Sequence, residues 1–418
     1  MRFYVDKTKI TYFFNSAKIL MPPYGRPHSL AIRFFLIFAK NIEASMKKSV
    51  IAIAAAALLW ACAAEEHPTL TLVVGTYTGT GSTGLYSLSF DTATGQAALL
   101  DSCRTDNPSY LTFSADGRTV YAVSELDDGD GAAAAFAFDP RSGAFTPLGR
   151  QATHGKAPCY IATDGRTVVT ANYFGGSVSV FPLDGDGSLQ PLAALFNGST
   201  GGPDAERQEA PHVHCAVYSP DGKHLYASDF SADRILCFDV QDGAITPTLT
   251  DDGEQLTAAV EPDYGPRHIV FDPSGAHAYI IGELSGKVTL FDIAGDGTLT
   301  ARQVIDGDPF GGRGSADIHI SPDGRWLYTS NRLKGDGIAI FSVDESDGTL
   351  TEAGYCPTGP HPRNFNITPD GCWLLCACRD SDEIEVYSRD PESGALHDTG
   401  SRIRLKRPVC IQFAPQAR

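Results

Sequence analysis

Six segments of the chain repeat one pattern of apolar and polar positions. Each segment starts with a short apolar strand, turns at Asp-Gly or Ser-Gly, returns through a second strand and then reaches a third strand. Short runs of this kind, bounded by Gly turns, predict strands rather than helices. The turn glycines are Gly117, Gly165, Gly222, Gly275, Gly324 and Gly371.

The spacing of these turns predicts the fold. Successive turn glycines are 48, 57, 53, 49 and 47 residues apart, and a period of about 50 residues with four short strands is typical of a β-propeller blade. A further unit is divided between the chain ends, because "RPVCIQFAPQA" repeats the first strand and "TLVVGTYTGTGSTGLYSLSF" supplies the following strands. We predict an all-β fold, a seven-bladed β-propeller of four-stranded blades, with the ring closed by pairing of the N- and C-terminal strands.

Composition agrees with this prediction and sets the N-terminal part of the chain apart. The 42 Gly and 26 Pro exclude a mainly helical protein. Residues 46–66, "MKKSVIAIAAAALLWACAAEE", resemble a bacterial lipoprotein signal ending before a lipidated Cys62. A buried helix is the alternative, but two lysines directly before so short an apolar run favour export. The expected organisation, with translation starting at Met46, is an erroneous N-terminal extension (1–45), a signal peptide (46–61), a short tether (62–69) and a single propeller domain (70–418).

The net charge limits the partners of the chain. Without residues 1–61, the sequence carries 24 Lys and Arg against 48 Asp and Glu, a net charge of −24. Such a surface repels nucleic acids and anionic lipids, so we expect no nucleic-acid partner and membrane contact only through a lipid anchor at Cys62. We expect a monomer in the cell envelope, either periplasmic or attached to the outer membrane as a lipoprotein.

Charged residues recur at one place in the repeat, where the first strand begins and the second strand ends. The first strand of each propeller blade lines the central channel, so these positions surround the axis at one mouth. The offset that places Arg267 beside Glu283 gives comparable positions in other copies. These are Ser109 with Glu125, His214 with Phe230, Ala316 with Arg332, Arg363 with Arg379, and Tyr173 alone in the second copy.

The charges at this mouth predict a ligand site. A cross-strand ion pair would account for Arg267 and Glu283, but Arg363 and Arg379 would be like charges placed opposite each other. Such a pair costs stability unless an anion or a carboxylate lies between its members. Four arginines and a histidine at one mouth of an acidic protein therefore predict a site for an anionic or carbonyl-bearing ligand.

Several motifs in the repeats carry a family resemblance. The most specific are "ERQEAPHVH" and the combination of "GPRH" with "GEL", and "VVGTYT", "DIHISPDGRWLYTSNR" and "HPRNFNITPDGCWLL" agree with them. From about residue 70 to 415 the chain resembles the seven-bladed propeller lactonases, which include bacterial 6-phosphogluconolactonases and fungal carboxymuconate cyclases. The resemblance implies a lactone hydrolase, 6-phosphogluconolactonase-like, with a histidine, arginines and a glutamate in the cleft. The matching residues are His214, with His212 as its alternative, Arg267 and Glu283.

The predicted catalytic residues follow from the chemistry of lactone hydrolysis, which needs a base to activate water and donors to stabilise the oxyanion. His214 is the candidate base, because an unperturbed imidazole titrates at about pH 6.5. The pKa of Glu283 should be lowered by Arg267, so Glu283 would orient the water or Arg267 instead. Arg267 would polarise the carbonyl group.

The predicted substrate-binding residues surround this group. Arg363, with Arg332 or Arg379, would hold a substrate carboxylate or phosphate. Further residues expected to border the cleft are His212, Arg207 and Gln208. His212 and His214 alternate along one extended segment and have no evident third ligand nearby, so no metal is expected, and no cofactor is expected either.

Two other functions are consistent with the sequence. A non-catalytic propeller that binds a sugar or a peptide at the cell envelope would use the same blades, since fold does not fix function. A calcium-dependent, gluconolactonase-like enzyme would use acidic and amide residues near the second-strand ends, namely Glu125, Asn172, Asp229, Glu283 and Asn331. Because phosphogluconolactone is a cytosolic intermediate and the signal predicts export, we expect the substrate to be another sugar lactone or sugar acid derivative.

Overall fold

The computed structural model describes residues 69–129 and 131–416, and the predicted signal peptide and Cys62 lie outside these ranges. Within them, 28 of the strands form seven four-stranded sheets, and one additional strand pairs with a strand of the fourth sheet. The remaining regular structure in these ranges is two 3₁₀ turns, at Phe230–Ala232 and Arg379–Ser381. The predicted all-β, seven-bladed architecture is confirmed.

The blades are numbered in chain order. Blade 1 contains β1 (Thr69–Thr76), β2 (Gly84–Asp91) and β3 (Gln96–Arg104). Blade 2 contains β4 (Leu111–Phe113), β5 (Thr119–Ser124), β6 (Ala132–Phe138) and β7 (Phe145–Ala152). Blade 3 contains β8 (Pro158–Thr163), β9 (Thr167–Asn172), β10 (Ser177–Pro182) and β11 (Ala194–Asn197).

The remaining blades continue this order. Blade 4 contains β12 (Val213–Tyr218), β13 (His224–Asp229), β14 (Arg234–Gln241) and β15 (Ala244–Pro247), with the additional strand β16 (Thr257–Ala259). Blade 5 contains β17 (Pro266–Phe271), β18 (His277–Gly282), β19 (Lys287–Ile293) and β20 (Leu299–Asp306). Blade 6 contains β21 (Ile318–Ile320), β22 (Trp326–Asn331), β23 (Gly337–Val343) and β24 (Leu350–Pro357). Blade 7 contains β25 (Pro362–Ile367), β26 (Trp373–Cys378), β27 (Glu383–Arg389) and β28 (Leu396–Arg404).

The last strand of the chain completes the first blade. β29 (Pro408–Phe413) pairs antiparallel with β1, with Leu72 opposite Phe413 and Gly75 opposite Cys410. The first strands contact one another around the ring, in the order β29, β4, β8, β12, β17, β21, β25 and back to β29. The predicted closure is confirmed, and it removes the edge that an open ring would expose.

Neighbouring blades are joined by a repeated hydrogen bond. A buried tyrosine in the second strand of one blade donates its hydroxyl hydrogen to a glycine carbonyl in the outer turn of the next blade. The four pairs are Tyr121 with Gly187, Tyr226 with Gly297, Tyr279 with Gly348 and Tyr328 with Gly394, at 2.8 to 3.0 Å. These bonds tie the outer turn of one blade to the blade before it.

Two details of the strands agree with the sequence pattern. The six turn glycines all have positive φ, between +68° and +83°, a conformation that costs glycine little. Cys376 and Cys378 lie fully buried in β26 with their sulfurs 3.9 Å apart, as expected for small core residues on one strand face. Among residues 69–129 and 131–416, no helix is long and apolar enough to cross a bilayer.

Candidate active site

The first strands of five blades begin with a β-bulge. In β8, β12, β17, β25 and β29 the pairing register shifts directly after the first residue of the strand. A bulge bends the strand and changes the direction of the unpaired side chain, and bulges are frequent beside active sites. The polar side chains displaced in this way are Cys159, His214, Arg267 and Arg363, and the equivalent residue of β29 is Val409.

A repeated backbone hydrogen bond brings the second-strand ends to the same mouth. In six blades, the residue after the second strand donates its N–H to the carbonyl oxygen two residues before the mouth position of the first strand. The donors are Tyr77, Glu125, Tyr173, Phe230, Glu283 and Arg379, and the acceptors are Arg407, Asn107, Ala157, His212, Gly265 and His361. The positions matched by offset in the sequence are therefore structurally equivalent, and Tyr77 of blade 1 joins them.

We call the group of side chains at this mouth the cup. Its members come from all seven blades and from the segment between β11 and β12. They are Tyr77, Glu125, Cys159, Tyr173, Arg207, His214, Arg267, Glu283, Arg332 and Arg363.

Glu283 is the centre of the cup and contacts three arginines. Its Oε1 accepts a hydrogen bond from Nη2 of Arg207 at 2.7 Å, and its Oε2 lies 2.9 Å from Nε of Arg267 and 3.3 Å from Nη2 of Arg332. Burial alone would raise the pKa of Glu283, but Arg332, Arg267 and Arg207 outweigh it and lower the pKa to about 2. Glu283 is therefore a permanent carboxylate and a poor base.

His214 is a buried, neutral imidazole. Its Nε2 lies 3.9 Å from Oε2 of Glu283, and its Nδ1 lies 3.7 Å from the sulfur of Cys159. Burial lowers its pKa well below the usual value, and nearby Arg267, His268 and Arg363 lower it further. Within the part of the chain that the structure describes, Nε2 has no hydrogen-bond partner.

Two of the three guanidinium nitrogens of Arg267 have partners within the protein. Its Nε donates to Glu283, and its Nη1 donates to the carbonyl oxygen of Ala316. The same Nη1 lies against the ring of His268, 3.2 Å from Nε2 and 3.5 Å from Nδ1. The residue is only 1% exposed. Among the described residues no acceptor lies within hydrogen-bond distance of Nη2, which leaves this nitrogen as a donor for a ligand.

The guanidinium of Arg363 has few polar contacts in the cup. Its Nη2 is 3.7 Å from Oε2 of Glu125, too far for a hydrogen bond, and its guanidinium carbon lies 5.6 Å from the centre of the Tyr77 ring. The hydroxyl group of Tyr77 donates to the same Glu125 oxygen at 2.9 Å. No hydrogen bond of the Arg363 guanidinium is found within the described ranges, although its side chain is only 15% exposed.

Comparison with known proteins decides the family. A family model described as a seven-bladed β-propeller lactonase matches residues 71–413. The chain belongs to this lactonase family. The lactonase is 35% identical over 354 residues to the 6-phosphogluconolactonase of Bacillus subtilis, covering 82% of this chain and 98% of that protein. These similarities confirm the predicted enzyme class, a lactone hydrolase that acts on a small-molecule lactone.

Solved structures agree with this membership. A Bacteroides uniformis protein superposes on the lactonase with a TM-score of 0.80 and 52% identity, over 82% of this chain and 99% of that one. The periplasmic gluconolactonase of Pseudomonas aeruginosa gives a TM-score of 0.78 and 34% identity, over 83% and 99% of the two chains.

Two arginines of the lactonase differ from their predicted arrangement. Arg379 is not opposed to Arg363, because it starts a 3₁₀ turn and binds Asp380 with Nε and Nη2 at 2.7 and 2.9 Å. Arg332 is 5% exposed and donates to the carbonyl oxygen of Gly314 at 2.7 Å as well as contacting Glu283. Of these three arginines, Arg363 is the one whose guanidinium makes no hydrogen bond within the described ranges.

Two of the predicted residues are neighbours in the segment between β11 and β12, and one of them reaches the cup. Arg207 reaches Glu283 and also donates to the Tyr173 hydroxyl group at 3.1 Å. Gln208 does not line the cup, because it is 2% exposed and its amide nitrogen donates to the Phe230 carbonyl oxygen and to Asp233. The Gln208 side chain instead fastens the segment to blade 4.

His212 is half-buried at the edge of the cup. Its ring stacks on Tyr173, with centroids 4.3 Å apart and planes 5° from parallel, and its Nδ1 is 2.9 Å from the Tyr173 carbonyl oxygen. Burial lowers its pKa. His214, which approaches Glu283, is the better placed of the two histidines.

The five residues considered for calcium are not gathered into one site. Each of them has partners of its own. Glu125 is hydrogen-bonded to Tyr77, Asn172 to Ser177 and Ser179, and Asn331 to Ser315. Asp229 forms an ion pair with Arg234, and Glu283 forms ion pairs with the arginines of the cup. Within residues 69–129 and 131–416, no group of three or more His, Cys, Asp or Glu side chains is arranged to hold a metal ion.

Four residues near the reacting centre were not predicted. Tyr77 belongs to the divided blade, where the repeat offset was not applied, and Cys159 belongs to the copy whose first strand is shortened. His268 and Asp317 each follow a mouth position by one residue, and simple alternation places such a residue on the opposite strand face. The bulge in β17 turns both Arg267 and His268 toward the axis.

Proposed function

We propose that the lactonase opens a sugar lactone in the cup by direct attack of water, without a metal ion or a covalent intermediate. The observation that carries this proposal is a neutral imidazole with a free Nε2 beside a cation with a free N–H donor. His214 and Arg267 supply these two groups, and both contact Glu283. They correspond to the base and the oxyanion donor that acyl transfer to water requires.

In this mechanism His214 takes a proton from water through Nε2 as the oxygen attacks the lactone carbonyl carbon. The carbonyl oxygen becomes an oxyanion, which Nη2 of Arg267 stabilises. The tetrahedral intermediate then expels the ring oxygen, and the protonated imidazole returns its proton to that leaving oxygen. The product is the open-chain hydroxy acid, and the enzyme regains its starting protonation state.

Glu283 supports both partners in this scheme. Its Oε2 lies 2.9 Å from Nε of Arg267, which fixes the guanidinium plane. The same oxygen is 3.9 Å from Nε2 of His214, close enough to favour the imidazolium ion formed during attack. One carboxylate thus orients the oxyanion donor and stabilises the charge on the base.

Arg363 points to an anionic substrate. A guanidinium with so little exposure and no hydrogen-bond acceptor close to it is suited to a carboxylate or phosphate of the ligand. The Bacillus subtilis relative is named for a phosphorylated lactone and the Pseudomonas aeruginosa structure for gluconolactone. We therefore propose a sugar lactone, preferred when it carries an acidic group.

A lactone panel tests this function. The purified full chain should hydrolyse 6-phosphogluconolactone and gluconolactone, with activity unchanged by EDTA. Arg363→Gln should raise the KM for the phosphorylated lactone by about 10- to 100-fold, the worth of a charged hydrogen bond, and leave gluconolactone nearly unaffected.

The matched control is Arg302→Gln, an exposed arginine on the outer strand β20 that pairs with Asp292. It should leave every constant unchanged. If no sugar lactone is turned over, the proposed function is refuted. If Arg363→Gln affects both substrates equally, the proposed anion site is refuted. Loss of activity with EDTA would favour a calcium-dependent enzyme.

We further propose that the lactonase is exported as a lipoprotein attached through Cys62, with the propeller outside the inner membrane. Support comes from the basic and apolar run before this cysteine. When the chain is expressed in a bacterial host with labelled palmitate, the wild type should carry the label and Cys62→Ser should not. Cys103→Ser is the control, and an unlabelled, cytosolic wild type would contradict the proposal.

A further inference from the structure

The cup contains a second carboxylate, that of Glu125 in blade 2. Glu125 directly follows the second strand of its blade, as Glu283 does in blade 5. Glu283 contacts three arginines, whereas the Glu125 carboxylate accepts one hydrogen bond, from the Tyr77 hydroxyl group to Oε2 at 2.9 Å. Nη2 of Arg363 lies 3.7 Å from the same oxygen. Within the described part of the chain Oε1 of Glu125 accepts no hydrogen bond, although a carboxylate offers about four acceptor positions.

The first strand of the same blade places a hydroxyl group without a partner at this mouth. Ser109 is the blade 2 equivalent of Arg267, because the carbonyl oxygen of Asn107, two residues earlier, accepts the N–H of Glu125 at 3.0 Å. Ser109 is 2% exposed, and its Oγ has no hydrogen-bond partner among the described residues. A buried hydroxyl group left unpaired is costly, and native proteins usually satisfy such groups with water or a ligand. Blade 2 therefore has unused hydrogen-bonding capacity at the mouth.

Asn107 fixes the backbone that carries these two groups. It has a φ of +41°, a left-handed conformation that asparagine tolerates better than most residues. Its Nδ2 donates to the carbonyl oxygen of Glu125 at 3.2 Å, and its Oδ1 accepts hydrogen bonds from N and Oγ1 of Thr78 at 2.9 and 3.0 Å. One side chain thus connects the end of β1 with the end of β5. The carboxylate is presented on an ordered backbone, which lowers the entropy cost of binding a ligand.

Glu125 also lies close to the proposed base. The sulfur of Cys159 is 3.7 Å from Nδ1 of His214. Burial raises the pKa of the Cys159 thiol, and the negative charge of Glu125 raises it further, an effect that requires the two side chains to be near each other. A lactone whose carbonyl group lies between His214 and Arg267 therefore shares the cup with the Glu125 carboxylate.

We propose that Glu125 and Ser109 form a hydroxyl subsite, which binds ring hydroxyl groups of the lactone and makes the enzyme specific for polyhydroxylated lactones. A sugar hydroxyl group donates one hydrogen bond and accepts others, so it matches both a carboxylate and a serine hydroxyl group. A lactone without ring hydroxyl groups leaves both residues unpaired, and a site built in this way discriminates strongly against such a substrate. This inference rests on the proposed function, because it concerns the substrate of the same cup.

Two substitutions and two lactones test the hydroxyl subsite. Gluconolactone carries ring hydroxyl groups, and δ-valerolactone is the same six-membered ring without them. Neither carries a phosphate, so the proposed anion site at Arg363 does not enter the comparison. Glu125→Gln keeps an oxygen for the Tyr77 hydroxyl group but removes the charge. Ser109→Ala breaks no hydrogen bond within the described part of the chain, so a loss of activity in this variant reports on the ligand.

The experiment measures kcat, KM and Tm of the full chain with both lactones. We expect Glu125→Gln to lower kcat/KM for gluconolactone by about 10- to 100-fold, as for a lost hydrogen bond to a charged group, and mainly through KM. We expect Ser109→Ala to lower it by about 3- to 10-fold with an unchanged Tm. Both variants should keep kcat/KM for δ-valerolactone within about threefold of the wild type. If either variant leaves gluconolactone unaffected, or lowers both lactones equally, the proposal is overturned.

Controls separate the hydroxyl subsite from the proposed function. Glu352→Gln, at an exposed position on the outer strand β24, should change no constant for either lactone. Wild type and His214→Ala are assayed in parallel. Turnover that depends on His214 supports the proposed function, and the Glu125 and Ser109 variants then count for or against the hydroxyl subsite alone. If Glu125→Gln fails to fold, Ser109→Ala decides the outcome by itself. If the wild type turns over neither lactone, the hydroxyl subsite is overturned together with the proposed function.

Discussion

Glu283→Gln is expected to give the largest combined loss of stability and activity. The substitution removes the carboxylate that contacts Arg207, Arg267 and Arg332 and leaves a neutral amide among these cations. Breaking a buried ion pair in this way costs about 3–5 kcal/mol in free energy of unfolding. Because Arg267 also loses its anchor at Nε, kcat should fall by about 10²- to 10³-fold.

Urea denaturation at pH 7 and lactone turnover measure the two effects. Glu352→Gln, at an exposed position on the outer strand β24, is the matched control and should change neither. A Glu283→Gln enzyme with wild-type stability would show that the three arginines do not depend on this carboxylate.

The stability lost in Glu283→Gln should also depend on pH. The folded-state pKa of Glu283 is lowered to about 2, below the value of about 4.3 in an unfolded chain. A carboxylate with a lowered pKa in the folded state adds its full contribution to the free energy of unfolding at pH values above the pKa of the unfolded chain. This contribution is lost as the pH falls toward the pKa of the folded state. The difference in free energy of unfolding between wild type and Glu283→Gln should therefore shrink from pH 5 to pH 3, and a constant difference would contradict the assignment.

His214→Ala is expected to give the second large loss of activity. Removing a general base costs about 10²- to 10⁴-fold in kcat, and added imidazole should restore part of the rate by filling the space left by the ring. His212→Ala is the matched control, because it removes a neighbouring histidine that stacks on Tyr173. His212→Ala should lower kcat by less than about tenfold. If His212→Ala lowers kcat more than His214→Ala does, His212 and not His214 is the general base.

The pH profile gives an independent check on His214. Its pKa is lowered well below the usual imidazole value, first by burial and then by nearby cations. The base therefore stays unprotonated through neutral pH, and kcat/KM should be flat there, falling only on the acid side of about 6.5, the ordinary imidazole value. Because the folded-state pKa is lowered, the unfolded chain takes up a proton at His214 before the folded protein does. The free energy of unfolding should therefore decrease as the pH falls below about 6.5, the unfolded value.

Most of the fold and part of the candidate site were predictable from the sequence. The turn glycines recur at nearly constant spacing, and equal offsets from them place His214, Arg267, Glu283 and Arg363 at one mouth. This works because a propeller repeats its backbone, so positions related by sequence are related by rotation about the axis. The predicted roles of these residues await the experiments described above.

The direction of individual side chains was less predictable. Arg379 occupies the position equivalent to Glu283, yet a 3₁₀ turn and a neighbouring aspartate draw it aside. Gln208 lies in a segment outside the repeat, so no offset indicated whether it faces the ligand or the protein. His268 was missed because strand alternation assumes a regular ladder, and the bulge in β17 breaks that assumption.

The divided blade has a consequence for biosynthesis. Tyr77 lies near the start of the propeller and Arg363 near its end, and the Arg363 guanidinium carbon lies 5.6 Å from the centre of the Tyr77 ring. They meet only when β29 has paired with β1, because that pairing holds blade 1 in the ring. We therefore expect a nascent chain to assemble the cup only after its final strand has been synthesised.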